Sequence, residues 1–370
     1  ANGTQAFDDV DALAGKIEAA SIAVPTDRHH AMALQLMRHD LHLLVEKPLA
    51  TNLSDTLHIC DAATRSDSIF IVCHQMRHSP RLHTLKRLVS SGRFGEIVNV
   101  QHSENLSFSH MAHSYVRGFF NNDALSPMLL AKSCHDMDYL RFLVDAPPRR
   151  IASFGSLQYF RPENAPPGAT QRCLDGCPAY RECPYHVLKL YFEDQTDPAY
   201  LRQMGVVRGK HHLLALLRTN RFGRCVFHHD NNVVDNQVVQ IEFKNGVTAS
   251  FTMCGHNMLE RRMTKVSLCN GEIEVDSTRA ELRVHSFSPL ESGTVRPHGI
   301  DGTHGGGDRV IMDSFVDAVI SGDRRHILTP VRESLDGHLM VFAAEASRRT
   351  GQIVEIEKFE NDARKHLTGF

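Results

Sequence analysis

The chain lacks tryptophan, any appreciable net charge, and any apolar run approaching the roughly 20 residues needed to span a bilayer. Lys+Arg of 41 against Asp+Glu of 43 leaves a net charge of -2. No global field is present to draw in nucleic acid or an anionic membrane surface. These absences are what a soluble protein is expected to show. Residue 1 is Ala, and no signal or transit segment precedes Phe7. The chain is therefore expected to begin inside a domain or after a removed segment.

What is present is enough for two domains: 370 residues, 42% of them hydrophobic. Nine cysteines are scattered irregularly. Cys60, Cys73, Cys225 and Cys254 lie in apolar or helical settings and read as structural thiols in a reducing cytoplasm. The 24 histidines carry weight only where they fall in a pattern.

Over the first 75 or so residues, helical and strand signals alternate. Helices are expected over 8–20, 30–38 and 53–66, and short apolar strands over 21–24, 43–45 and 69–73. Strands separated by helices of this length argue for a parallel sheet covered on both faces. After Pro80 the pattern changes. A helix over 81–90 leads into a long strand over 97–107, followed by hairpins at Asn245-Gly246 and Asn270-Gly271. Helices over 309–320 and 331–348 close a second, α+β domain whose large open sheet is mainly antiparallel. An irregular insert rich in Pro, Gly and Cys occupies 161–220. The expected division is 1–78 and 79–355.

Three constellations could carry chemistry. Pro25-Thr26-Asp27-Arg28-His29 follows a parallel strand, whose carboxyl end is where open α/β sheets bind ligands. A plain helix cap from Thr26 or Asp27 explains the same residues. The second strand stops at Glu46-Lys47-Pro48, where an amine beside a carboxylate can serve in proton transfer or form a simple surface pair. The third, Lys132-Ser133-Cys134-His135-Asp136-Met137-Asp138, opens a helical run. It sets His135 and Asp138 three apart on one face, as either an acid/base unit or a helix-surface contact.

Two further groups stand out. His110, His113, Tyr115 and Arg117 are expected in one loop after the long strand, where they could bind a polyol or, through Arg117, a carboxylate. Thr303 to Asp308 could reach the same pocket or cap the next helix. Separately, Cys173, Cys177 and Cys183, with His186 or Cys134 as a fourth ligand, have the types of a structural zinc site, although the spacing is not standard and free thiols fit as well.

Taken in order, Pro25-x-x-x-His29, Glu46-Lys47-Pro48, Arg77-x-x-Pro80, Gly92-x-x-Gly95 and His135-x-x-Asp138 resemble the glucose–fructose oxidoreductase / inositol dehydrogenase / MocA (Gfo/Idh/MocA) family over about residues 5–355. The resemblance implies a Rossmann-type parallel sheet, incomplete at its N-terminus, followed by the α+β domain. It implies oxidation or reduction of a sugar, sugar acid or cyclitol with NAD or NADP, and a homo-oligomer built through the C-terminal sheet. By the same analogy Pro25, Thr26, His29, Glu46 and Lys47 line the cofactor, Lys47 and His135 are catalytic, and Arg77, Lys132 and Asp138 join the substrate contacts.

Two departures accompany the resemblance. No Gly-x-Gly-x-x-Gly turn is present, so a fragment of a longer gene product is expected. Many members carry Asp four residues before the histidine, where this chain has Ala131 followed by Lys132. An NAD-dependent glycosidase of the same fold, or a non-catalytic binding or regulatory relative, stay open as alternatives.

Overall fold

The structure is a computed structural model, and it describes residues 5–192, 198–288, 291–298 and 306–367. Strands β1 (Ala19–Ile22), β2 (His42–Val45) and β3 (Phe70–Val72) form a parallel sheet in that order. Leu43, Leu44 and Val45 of the middle strand are at most 2% exposed, as expected for a parallel strand covered on both faces. Helices α1 (His29–Met37) and α2 (Leu53–Arg65) bring Ala33, Leu36, Leu57 and Cys60 into the core. α2 begins at Asn52, whose side chain accepts the Asp55 N–H at 2.8 Å, the usual remedy for an orphan amide at a helix start.

The helix expected over 8–20 does not form. Only a 3-10 turn, Asp11–Leu13, appears, because Gly15 adopts a left-handed conformation (φ 71°) and the chain is already in β1 by Ala19.

Two helices, α3 (Gln75–His78) and α4 (Pro80–Ser90), lead to the long strand β4 (Ile97–Ser107). The loop expected to carry the His110 group is instead helical: α5 (Phe108–His110) runs into a π-helix, Met111–Arg117, all of it buried. Next come α6 (Met128–Val144) and β5 (Pro148–Ser156). The Lys132–Asp138 motif thus lies in the body of α6 rather than at its start. The insert is less irregular than its composition suggests, and contains α7 (Val187–Phe192), α8 (Pro198–Gln203) and α9 (Lys210–Thr219).

Strands β6 (Asn236–Phe243), β7 (Thr248–Asn257), β8 (Arg261–Leu268), β9 (Gly271–Asp276), β10 (Leu282–Ser286) and β11 (Gly293–Val295) follow. Then come α10 (Gly307–Ser321), α11 (Val331–Thr350), β12 (Val354–Glu355) and α12 (Ile356–Lys365). The second sheet has nine strands in the order β11-β10-β9-β8-β4-β7-β6-β5-β12. All its pairings are antiparallel except β4 with β7. The β6–β7 hairpin turns at Gly246 (φ 85°), a conformation glycine adopts without strain.

α6 and α11 cover one face of this sheet, and α11 also packs on α2 and β3, joining the two sheets. α10 covers the second face of the parallel sheet, with Ile311, Phe315 and Ala318 against Leu44, Ile69 and Ile71. Its start lies so close to α3 that a Cβ on Gly307 would meet the Gln75 carbonyl oxygen at 2.4 Å. Across the other face of the nine-stranded sheet, Phe154, Val238, Thr252, Ser103 and Met263 stand in register, with Phe154, Val238 and Met263 exposed. Among the described residues, no helix is long and apolar enough to cross a membrane.

Candidate active site

Lys47 follows the last residue pair of β2, at the carboxyl edge of the parallel sheet. Its Nζ donates to the Ala131 carbonyl of α6 at 3.2 Å, so the amine faces the helix that carries His135. The turn holding it is clamped from two sides. The His29 ring sits between the carbonyls of Val24 and Pro48, 2.9 Å from each. From α11, His338 Nε2 accepts the Leu49 N–H at 3.0 Å while its Nδ1 donates to the Ser334 carbonyl at 2.7 Å. Burial lowers the His338 pKa, consistent with that neutral tautomer.

Cys134 and His74 lie near Lys47, Cys73 near Glu46, and His135 against His74. Burial pushes the Cys134 thiol up to about 11, with the Lys47 charge pulling the other way. Burial, aided by Glu46, pushes Cys73 up further. Glu46 also accepts the Lys47 backbone N–H at 3.3 Å. His135 is 6% exposed and stands edge-on to His74, with ring centroids 5.9 Å apart. Burial, with His338 and Arg77 nearby, holds His74 well below the usual histidine range, so its ring is neutral. Among the described residues its nitrogens make no hydrogen bond, and Asp138 Oδ1 stands 3.6 Å from Nε2.

A second set lines the adjoining wall. Lys132 Nζ lies 2.8 Å from Glu260 and 3.5 Å from Glu104. His110 Nδ1 is 2.8 Å from Glu260. Arg262 joins Glu104 at 2.5 Å to Asp136 at 2.7 Å, and His102 meets the same Asp136 at 2.9 Å. Burial alone would raise the Glu260 carboxyl, but His110 and Lys132 hold it well below the ordinary range. Arg262 and His102 do the same for Asp136. The buried Tyr115 phenol feels Glu104, Glu260 and Cys134, and Cys134 in turn feels Lys47, so the two sets adjoin.

Several expected site residues have structural duties instead. Arg77 and Asp138 are both fully buried and form a two-pronged ion pair at 2.7 Å on each prong. Arg77 also donates to the Leu328 carbonyl and to Glu333. Both oxygens of Asp138 are thus engaged by Arg77, and Arg77 has no exposed surface. His113 is buried against Tyr191, Gln203, Tyr200 and Phe222. Arg117 is buried too, donating to the Arg224 and Tyr185 carbonyls, which removes the expected carboxylate anchor. His29, with both ring nitrogens on backbone carbonyls, braces the turn rather than reaching a ligand. Pro25 is exposed and Thr26 half-buried at the end of β1, and both remain at the sheet's open edge.

The zinc expectation is not met. Cys173, Cys177 and Cys183 do line one small cavity with Cys225 and His186. Yet no group of three or more His, Cys, Asp or Glu among the described residues is arranged to hold a metal ion. His186 spends Nε2 on the Cys173 carbonyl and Nδ1 on the Leu188 N–H, and Cys134 sits beside Lys47 instead. Thr303, His304 and Gly305 lie outside the described residues. Asp308 acts on Cys73 at the end of β3.

Glu104, Glu260, His74 and His338 were not anticipated. Glu104 had a signal: it occupies the inward phase of β4, shared with Val100, His102 and Leu106, where a carboxylate needs a partner. Glu260, in the β7–β8 connection, had none.

Comparison with known proteins agrees with this architecture. Residues 1–74 match the family model described as "Oxidoreductase family, NAD-binding Rossmann fold", and residues 86–356 match "Oxidoreductase family, C-terminal alpha/beta domain". The chain belongs to the Gfo/Idh/MocA oxidoreductase family. It is 20% identical to YteT of Bacillus subtilis (strain 168) over 84% of this chain and 74% of that protein. It is 34% identical to inositol 2-dehydrogenase of Corynebacterium glutamicum (strain R) over 26% of this chain and 30% of the relative. Among solved structures, levoglucosan dehydrogenase in complex with NADH and levoglucosan superposes with a TM-score of 0.68 at 18% identity, covering 94% of this chain and 83% of the other. The super-repressor mutant of Gal80p from Saccharomyces cerevisiae shares the fold at a TM-score of 0.67 and 15% identity, covering 96% and 84%.

Proposed function

We propose that the protein moves hydride between a nicotinamide dinucleotide and a carbon bearing a hydroxyl or carbonyl on a sugar, sugar acid or cyclitol. The observation that carries this reading is the Lys47 amine at the carboxyl edge of a parallel sheet, turned onto the helix of His135. That edge is where open α/β sheets take ligands. The residues there suit the nicotinamide end of such a cofactor: small, open Pro25 and Thr26 on one strand end, and a carboxylate and an amine on the next. When bound, the cofactor supplies the hydride donor or acceptor.

The remaining work falls to the chain. Lys47 hydrogen-bonds the reacting oxygen and favours the charge that gathers there. His135 gives or takes the proton. His29 and His338 keep the lysine turn rigid, and the neutral thiols of Cys73 and Cys134 exclude water from beside it. Nine free thiols fit a reducing cytoplasm, and the exposed row through Phe154, Val238 and Met263 fits a homo-oligomer contact.

The test is Lys47→Ala in the full-length protein, assayed against a panel of sugars, sugar acids and cyclitols with NAD and with NADP. Turnover should fall by at least about a hundredfold while cofactor binding by fluorescence titration stays within a few-fold. Undiminished turnover would remove Lys47 from the chemistry.

A further inference from the structure

The wall beside Lys47 carries charge in a form that discriminates between ligands. Three carboxylates, Glu104, Asp136 and Glu260, face two cations, Lys132 and Arg262, with the His102 ring against Asp136 and the His110 ring against Glu260. Arg262 is shared between Glu104 and Asp136, and Lys132 between Glu104 and Glu260. Glu104 and Asp136 are fully buried, whereas Glu260 is the most open of the group, its side chain 38% exposed. The arginines that could have met an anion, Arg77 and Arg117, are turned inward on other partners. Among the described residues Lys47 is the further lysine beside this wall, and the reaction claims it.

We propose that the site accepts an uncharged polyol, with the Lys132–Glu260 pair reading two neighbouring hydroxyls, and rejects sugar acids and sugar phosphates. This rests on the oxidoreductase reading of the cleft and names its substrate class. A carboxylate or phosphate entering beside Glu260 meets like charge, and apart from Lys47, which the reacting oxygen takes, the cations named here already hold counter-ions, an arrangement that costs affinity. A hydroxyl both donates and accepts. One can donate to a Glu260 oxygen while its neighbour accepts from Lys132, whose ammonium has three N–H groups. Such a bridge preserves the ion pair, and only neutral groups are desolvated. The Tyr115 phenol, kept protonated by burial and by the same two glutamates, adds a neutral group to this wall.

Binding and turnover are measured separately on the full-length protein with reduced cofactor present. Calorimetry compares glucose and myo-inositol with glucuronate, gluconate and a hexose phosphate, and the nicotinamide absorbance follows hydride transfer. At least one uncharged compound should bind about tenfold or more tightly than its charged counterparts. Glu260→Gln should narrow or reverse that ratio, because Lys132 then lacks half of its counter-charge. Lys132→Gln should weaken the uncharged ligand without improving the charged ones. Tighter binding of an acid or phosphate by the unaltered protein overturns the proposal, and so does binding of no sugar of either kind. An unchanged ratio in a folded Glu260→Gln protein overturns it as well. If an uncharged polyol binds selectively but no absorbance change follows, the hydride-transfer reading fails and this one stands. The comparison within the unaltered protein needs no variant to fold.

Discussion

His74, His78 and His338 lie within the packed seam between the two sheets, each 3% exposed or less. Burial lowers all three pKa values, His78 to about 4 from an ordinary 6.5. The unfolded chain therefore binds more protons than the folded one between these limits. Stability is complete above pH 6.5 and declines as pH falls toward 4. Between pH 6.5 and 5, a histidine so shifted accounts for up to about 2 kcal/mol. Urea midpoints at pH 7.5 and 5 should show the loss, and His78→Asn should flatten the slope. Asp136 and Glu260 are lowered as well, by their cationic partners rather than by burial, so their contribution is present above their unfolded values and is lost only at more acid pH than that of the histidines. At this scale the strand end that carries Lys47 was legible, because the apolar run of β2 stops abruptly at Glu46-Lys47-Pro48. Arg77 and Asp138 were not. They are 61 residues apart, and only the packing of α3 against α6 joins them.

Elements were read best where local chemistry and tertiary context agree. β4 spans the expected 97–107, and both Asn-Gly turns close hairpins. The reading failed where burial overrode polarity. Residues 108–117, rich in His, Ser and Tyr, look like a surface loop, yet their π-helix is buried because Arg117 and His113 find partners, Tyr185 and Gln203, supplied by the distant insert. The i,i+3 spacing of His135 and Asp138 on α6 was correct as geometry but uninformative about pairing, since α3 claims the carboxylate. That claim has a measurable size. Arg77→Met leaves Asp138 buried without its counter-ion and should destabilise the protein by about 3–5 kcal/mol in denaturant titrations. Adding Asp138→Leu should recover a substantial part of that loss, which a purely steric defect at Arg77 would not allow.

At the scale of the whole molecule, the order of strands and helices was readable from periodicity, but the strand order of the large sheet was not. Nothing local in 97–107 says that it will lie between β8 and β7. The face opposite α6 and α11 presents Phe154 beside Val238 with no covering layer among the described residues. If copies of the chain meet there, Val238→Glu should lower the mass seen by sedimentation to that of a single chain while leaving the fold, judged by circular dichroism, intact. The lone parallel pairing has its own consequence. β4 and β7 meet through residues 149 apart in the chain, such as Asn99 and Thr248. A newborn chain leaving the ribosome must therefore hold β4 with an open edge until the whole insert and β6 have emerged. The insert helices and α6 are made in that interval, and shielding the waiting strand from other chains falls to them or to a chaperone.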